Sequence, residues 1–355
     1  MAAKYLEIAE VLRKDIHAGV YAPDAFLPTE QALCEQFHAS RQTVRQALQT
    51  LVEQGLIYRR QGSGSRVLGK AAQAVPQRTV AVITSYISNY IFPSILQEVE
   101  SVLFANNCTM QLAATSNQVS NERRILLGLL DQKLDGVLVE GTKTALPNPN
   151  LDLYQKLQER GIPLVFFNGN YSALEHSVSI LDDNFGGGQQ LVRYLADKGH
   201  TRIAGIFKSD DMQGHQRYAG FAAGLRERNL PLEDRNLCWY TTEDKPSPGP
   251  QGEHWAEHIK PVLEGCSAVV CYNDEIFSAL VQYLLRSGVR VPADMAVVSF
   301  DCSHYSDMSM CRITSLSHGR QNLGRIAAEA LIEAMEGQDA QSQIIPWQLV
   351  EKESS

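Results

Sequence analysis

Apolar positions recur at two different spacings along this chain, and the change between them falls near residue 79. Between residues 5 and 19, Leu6, Ile8, Ala9, Val11, Leu12 and Ile16 repeat at helical spacing, and Gly19 ends the stretch. Pro23 to Pro28 read as a turn. Thr29 is an N-cap candidate for a second helix reaching Phe37, with Glu30 in the first turn, where an acid meets the positive end of the helix dipole. After the break at His38-Ala39, Ser40 is a further N-cap candidate. It opens a helix from Arg41 to about Gln54, and Gly55 closes it. Leu56–Arg60 and Ser65–Leu68 are short strand candidates joined by the turn Gln61-Gly62-Ser63-Gly64.

Helix, helix, turn, helix and hairpin in this order predict a winged helix-turn-helix over residues 1–68. Residues 69–78 are small and polar and are expected to be a linker. Beyond them the pattern becomes strands alternating with amphipathic helices. The strand candidates are Val80–Thr84, Thr109–Ala113, Gly136–Glu140, Leu164–Asn168, Ser177–Leu181, Arg202–Phe207, Ala268–Tyr272 and Met295–Phe300. Helical stretches such as Phe92–Asn106, Asn121–Gln132, Phe185–Lys198 and Gln213–Arg228 lie between them. Continuously apolar strands between helices imply parallel sheets covered on both faces. Residues 79–355 exceed one doubly wound α/β core, so two lobes with a ligand cleft between them are expected.

Composition narrows the function. A hydrophobic fraction of 44% and a charged fraction of 20% are ordinary for a soluble globular protein. No apolar run approaches the roughly 18 residues that span a bilayer. The first residues lack the continuous apolar core of a signal peptide, so no membrane partner and a cytoplasmic location are expected. The seven cysteines form no Cys-x-x-Cys pair and no His-neighboured zinc pattern, which argues against a metal. The net charge of −8 would oppose nucleic acid, but it is unevenly spread. Residues 1–70 hold nine Lys/Arg against seven Asp/Glu, and between Arg41 and Arg66 the only acid is Glu53. A local basic surface of this kind can dock DNA beneath an acidic bulk.

In the helix from Arg41, the residues Val44, Ala47, Leu48 and Leu51 make the inward stripe. Arg41, Gln42, Thr43, Arg45 and Gln46 are left facing outward, together with the caps Thr29 and Ser40. Arg reads guanine and Gln reads adenine in the major groove, while Thr43 and the helix-start amides can hold phosphate. Arg60 and Gly62 belong to a basic, glycine-tipped wing whose backbone can approach a groove closely. A solvated surface helix is the bland alternative, and the ordered series of caps, turn and hairpin argues against it. The stretches Leu27–Glu30, Ser40–Ala47 and Leu51–Ile57 closely resemble the GntR family of winged-helix regulators. The resemblance covers residues 4–68 and implies operator contacts from Arg41, Thr43, Arg45 and the wing around Gly62.

The remainder is similar to LacI-type regulators, whose effector domain shares the periplasmic-binding-protein fold. The resemblance rests on Leu181–Gly188, Lys198–Ile203, Arg217–Phe221, Cys271–Asp274, Val291–Met295 and Thr314–Leu316. It implies that Arg217 grips effector hydroxyls, that Asp301 and Asn273 line the pocket, and that His318 is a pocket candidate. A GntR head on a LacI-type body is the pairing of the arabinose-responsive repressors, which the chain resembles at Tyr86–Ile95, Asn121–Arg124, Glu140–Lys143, Gly205–Asp211 and Tyr272–Glu275. The effector implied is L-arabinose, with another pentose or a related sugar as the alternative.

Side-chain chemistry agrees with a sugar, because hydroxyls need planar donors and acceptors in fixed directions and aromatic faces for their C–H surfaces. The expected strand ends supply Tyr86, Tyr90, Phe92, Glu140, Asn168, Asp182, Lys208, Arg217, Asn273 and Asp301. Other roles stay open at this stage. Asp182 or Asp183 could cap a helix, Tyr90 and Phe92 could be core or interface, and Lys208 and Glu140 could be surface ion-pair formers. No nucleophile triad, phosphate loop or metal spacing accompanies the acid pairs Asp182-Asp183 and Asp210-Asp211, so an enzyme is not expected. A transport-type sugar-binding protein is disfavoured by the winged helix. The expectation is a homodimeric repressor, without a cofactor, that binds double-stranded operator DNA and is released by a small sugar. An activator role stays open.

Overall fold

The short apolar runs Gly136–Val139, Leu164–Phe167 and Ala268–Cys271 are buried along their whole length, which is possible only where a sheet is covered on both faces. A computed structural model describes residues 4–22, 25–54, 56–60, 64–67, 78–245, 250–308 and 311–355. The chain divides into two units, Met1–Gln77 and Arg78–Ser355.

In the first unit, helices α1 (Lys4–His17), α2 (Glu30–Phe37) and α3 (Arg41–Glu53) precede a hairpin of β1 (Ile57–Arg60) and β2 (Gly64–Val67). The strands pair antiparallel, with Ile57 opposite Val67 and Arg60 opposite Gly64. Ile8, Leu12, Leu33, Val44, Leu48, Leu51 and Val67 close one core. The expected closing glycine, Gly55, and the turn residues 61–63 lie outside the described residues, as do 69–77 of the expected linker.

The second unit has two lobes. The first lobe begins with β3 (Arg78–Thr84), α4 (Phe92–Ala105), β4 (Cys108–Ala114), α5 (Val119–Leu130) and β5 (Gly136–Val139). It continues through α6 (Leu151–Glu159), β6 (Leu164–Phe167) and β7 (Val178–Asp182). Strand β3 starts at Arg78, inside the stretch read as linker. The second lobe begins with α7 (Asn184–Asp197), β8 (Ile203–Lys208), α8 (Met212–Glu227), β9 (Leu237–Tyr240) and α9 (Pro250–Leu263). It continues with β10 (Ala268–Cys271), α10 (Asp274–Arg286), β11 (Ala296–Phe300), α11 (Tyr305–Met308) and β12 (Thr314–Ser317). The chain then returns to the first lobe for α12 (Leu323–Met335) and β13 (Gln343–Ile345), and ends in the second with β14 (Gln348–Val350).

The sheets run in the orders β13-β7-β6-β5-β3-β4 and β14-β12-β11-β10-β8-β9. All neighbours are parallel except β14, which runs antiparallel to β12. Each sheet has an apolar core on each face. The chain crosses between lobes after β7, β12 and β13, so three strands of backbone form the joint. Both sheets direct their strand C-termini towards the cleft, where open α/β sheets bind ligands.

Candidate effector cleft and DNA-reading helix

In the first unit, the Ser40 side chain accepts the Thr43 amide at 3.2 Å and its hydroxyl meets the Thr43 hydroxyl at 2.8 Å. The Thr29 hydroxyl accepts the Ala32 amide at 3.2 Å. Both caps start their helices as the sequence implies. Burial of Val44, Ala47, Leu48 and Leu51 turns Arg41, Gln42, Arg45 and Gln46 outward, with Thr43 half-buried at the cap. Glu30 reaches across from α2, accepting from Arg45 Nε at 2.9 Å and lying 3.6 Å from Arg41 Nε. That carboxylate holds both arginines on one face while leaving their guanidinium groups exposed, an arrangement suited to base edges and phosphates. The Arg60 side chain and Gly62 lie outside the described residues.

In the second unit, a cavity of about 250 Å³ between the lobes brings together Tyr86, Tyr90, Phe92, Glu140, Asn168, Asp182, Lys208, Arg217, Asn273 and Asp301. His318 does not line it. The His318 imidazole stands behind Asp182, with Nε2 3.0 Å from Oδ1, and stacks on Trp347 at 3.8 Å between centroids. Burial works against its charge, but the hydrogen bond and charge of Asp182 outweigh burial and lift its pKa. Sequence reading did not single out Asp211, Gln213, Tyr240, Tyr272, Lys245 or Glu275 as lining residues. Gln213 was within reach of it, since it sits four residues before Arg217 and so on the same helix face.

Arg217 is fully buried on α8. Its Nε donates to Asn184 Oδ1 at 2.8 Å, one terminal nitrogen to the Tyr272 carbonyl, and the other to Asp301 Oδ1 at 3.1 Å. The guanidinium carbon lies 4.2 Å from the Phe300 ring centroid and 4.8 Å from that of Tyr272. Desolvation opposes its charge, and Asp301, Tyr272 and Asp182 more than offset it. Glycines bring α8 this close to α7. A Cβ at Gly188 would stand 2.2 Å from the Arg217 carbonyl oxygen, and one at Gly220 would stand 1.9 Å from that of Phe185.

The other polar groups are equally fixed. Glu140 accepts from the Ser85 amide at 2.6 Å, Thr84 Oγ1 at 3.1 Å and Asn168 Nδ2 at 3.2 Å, and its burial raises its pKa. Lys208 is buried against Asp211, with Asp210 at 3.7 Å. Burial opposes its charge, and these acids raise its pKa on balance. Both are therefore cleft groups rather than surface ion-pair formers. Asp182 accepts from Gln213 Nε2 at 3.2 Å, while its neighbour Asp183 caps α7 by accepting the Gly186 amide at 2.9 Å. Asn273 caps α10, accepting the Ile276 amide at 3.1 Å. Phe92 packs in the first lobe's core and also reaches the cavity.

Asp301 is carried into the cleft on left-handed backbone, φ +89°, followed by Cys302 at φ +41°. Asp274 clamps that turn by accepting from the Ser303 amide at 2.7 Å, Ser303 Oγ at 2.9 Å and Ser315 Oγ at 2.9 Å. Burial, assisted by the Asp301 charge, pushes the Asp274 carboxyl up to about 7. Several bonds join the lobes. The Tyr90 hydroxyl donates to Asp301 Oδ2 at 2.6 Å, Asn117 Nδ2 donates to Thr242 Oγ1 at 2.7 Å, and Lys143 Nζ lies 2.6 Å from Glu243. The result is a chamber between the joined lobes, made of fixed carboxylates, amides and cations with aromatic walls, chemistry that matches a small polyhydroxylated ligand.

The model for bacterial regulatory proteins of the gntR family matches residues 4–67, and that for the periplasmic binding protein-like domain matches residues 192–355. An arabinose metabolism transcriptional repressor of Halalkalibacterium halodurans is 35% identical over 95% of this chain and 90% of its own length. Its counterpart in Geobacillus stearothermophilus is 35% identical over 94% and 91%. Among solved structures, the transcription regulator CcpA of Lactococcus lactis superposes with a TM-score of 0.68 at 23% identity, covering 79% of this chain and 99% of that one. A CelR–cellobiose complex superposes with a TM-score of 0.68 at 24% identity, covering 89% and 92%. These structural likenesses establish the two-lobed fold alone.

Proposed function

The chain belongs to the family of GntR-headed transcriptional repressors with a periplasmic-binding-protein-like sugar-binding body, and on that premise we propose that its cleft takes L-arabinose or a closely related pentose and that the occupied cleft frees operator DNA. The observation that carries this reading is Arg217, a buried cation held by Asp301, Asn184 and the Tyr272 carbonyl, with Asp182 3.9 Å away, at the wall of a chamber of about 250 Å³. Free hydroxyls can exchange hydrogen bonds with such a set without bringing net charge into a desolvated site. The 35% identity to two arabinose metabolism repressors over nearly the whole chain supports a pentose.

The mechanism has three parts. Arg41, Gln42, Arg45 and Gln46 read base edges, while Thr29, Ser40, Thr43 and the wing with Arg60 and Gly62 hold the backbone. The sugar binds between Tyr86, Tyr90, Phe92, Glu140, Asn168, Asp182, Lys208, Arg217, Asn273 and Asp301, with His318 orienting Asp182. Closure over the sugar is passed through residues 69–77 to heads arranged in a homodimer on a two-fold operator. Among the described residues no helix is long and apolar enough to cross a membrane, in keeping with a regulator acting on DNA in the cytoplasm. Isothermal titration calorimetry of the full chain with L-arabinose, D-xylose, D-ribose and D-galactose tests the effector. Heat from L-arabinose or one other pentose is expected, and heat from none of the four would overturn the reading.

A further inference from the structure

Two cavities meet at Tyr90. The effector chamber, about 250 Å³, is small beside the roughly 300–1,000 Å³ of pockets for drug-sized ligands and suits a single sugar ring. A second cavity of about 470 Å³ lies against it, and Tyr90, Ile91, Asn168, Asp182 and Asp301 line both. The second cavity is also suited to a sugar. It presents Ser94, Gln321 and Asn322 as polar groups and the stacked pair His318 and Trp347 as a flat aromatic wall. A ligand of two rings would have to pass the position that Tyr90 fills.

The way Tyr90 is held ties this barrier to closure. Tyr90 belongs to the first lobe, on the segment between β3 and α4, and all three of its named partners belong to the second. Its hydroxyl donates to Asp301 Oδ2 at 2.6 Å and accepts the Asp274 amide at 3.1 Å, and its ring stacks on Tyr305 at 6.0 Å and 22°. Its backbone is left-handed, φ +60°, which is costly for a bulky residue, and each of these contacts crosses from one lobe to the other. A molecule lying across both cavities would block those contacts.

Resting on the sugar-binding reading above, we propose that Tyr90 is the size-determining gate of the effector cleft: it divides the cleft into two chambers on closure, so that monosaccharides permit closure and disaccharides prevent it. Asp301, which both chambers share, is then bonded by Arg217 on one oxygen and by the gate on the other.

The test is calorimetry of the full chain with matched pairs, L-arabinose with α-1,5-arabinobiose and D-xylose with xylobiose. Wild-type protein should prefer the monosaccharide of the pair it recognises by on the order of 100-fold or more. Tyr90→Gly removes the barrier at a φ that glycine adopts freely, and should bring the disaccharide to within about tenfold of the monosaccharide. Tyr90→Phe keeps the ring and loses the bridge. It should bind the monosaccharide about tenfold more weakly and still exclude the disaccharide. Cooperative melting of each variant verifies its fold. A folded Tyr90→Gly chain that keeps the wild-type preference, or a wild-type chain that takes the disaccharide as tightly, would overturn the gate alone. A wild-type chain that binds no monosaccharide would remove the proposed function and the gate with it.

Discussion

Arg217 shows what a single buried cation does in this cleft. Its removal leaves Asp301 and Asp182 facing one another across a desolvated space. Breaking a buried pair by removing one partner costs about 3–5 kcal/mol. Arg217→Ala should therefore lower the unfolding free energy by that order in urea titrations and abolish sugar heat, while sugar-free operator binding persists. Unchanged sugar affinity in a folded Arg217→Ala chain would show that the pocket is assigned wrongly. Asp274 carries a second prediction at this scale. A folded-state pKa raised to about 7 contributes stability that is present below the ordinary Asp value and lost as pH rises through 7. Unfolding free energies of Asp274→Asn and wild type, compared between pH 4 and pH 8, should shift in favour of the variant as pH rises, on the order of a few kcal/mol. A pH-independent difference would mean that Asp274 is ionised throughout. Residues at strand ends, such as Asn168 and Lys208, were legible in the sequence because topology alone sends them to the cleft. Tyr240 also ends a strand, but β9 was not among the strands expected from the sequence, and Lys245 and Glu275 lie beyond strand ends, where apolar spacing gives no signal.

At the scale of elements, the caps and the glycine contacts are the sensitive joints. Ser40→Ala removes the acceptor for the Thr43 amide and should cost about 1 kcal/mol of helix stability. Thermal melting of the variant should shift down, and operator binding should weaken through the recognition helix that Ser40 starts. Gly188→Ala should act at a distance. The added methyl meets the Arg217 carbonyl oxygen, so α8 must move and carry Arg217 with it. Weakened sugar binding with sugar-free operator affinity preserved is expected, whereas wild-type sugar affinity would show that the helix pair tolerates the shift. The long elements were legible because their burial is periodic: α4, α5, α7 and α8 fall within two residues of the stretches read from apolar spacing. Strands β13 and β14 were not. Each has three residues and is defined by pairing with strands far away in sequence. The glycines of α7 and α8 were visible, but their purpose needs the second helix in place.

At the scale of the whole molecule, the proposed mechanism has two ligands competing through one equilibrium. On that proposal the heads bind a polyanion and the cleft a neutral sugar, so the two affinities should respond differently to salt. Operator affinity should fall steeply as salt rises. Sugar affinity should barely change. Arg41→Ala removes a base reader and should weaken operator binding by about 1–3 kcal/mol, and an Arg41→Ala chain with wild-type operator affinity would show that this arginine reads no base. Coupling between the sites need be only about 1–3 kcal/mol to lower occupancy of an operator held near its dissociation constant. The domain order, three helices and a hairpin before a doubly wound body, was legible in the change of period near residue 79. The return of the chain to the first lobe for α12 and β13 was not, because nothing local marks a crossover. The most direct measurement is fluorescence anisotropy of a labelled operator bound to the full chain, titrated with L-arabinose, D-xylose, D-ribose and D-galactose at one fixed salt concentration. Release by L-arabinose or one close pentose, with the complex stable to the other sugars, is the predicted result. A complex that none of the four sugars dissociates would contradict the account.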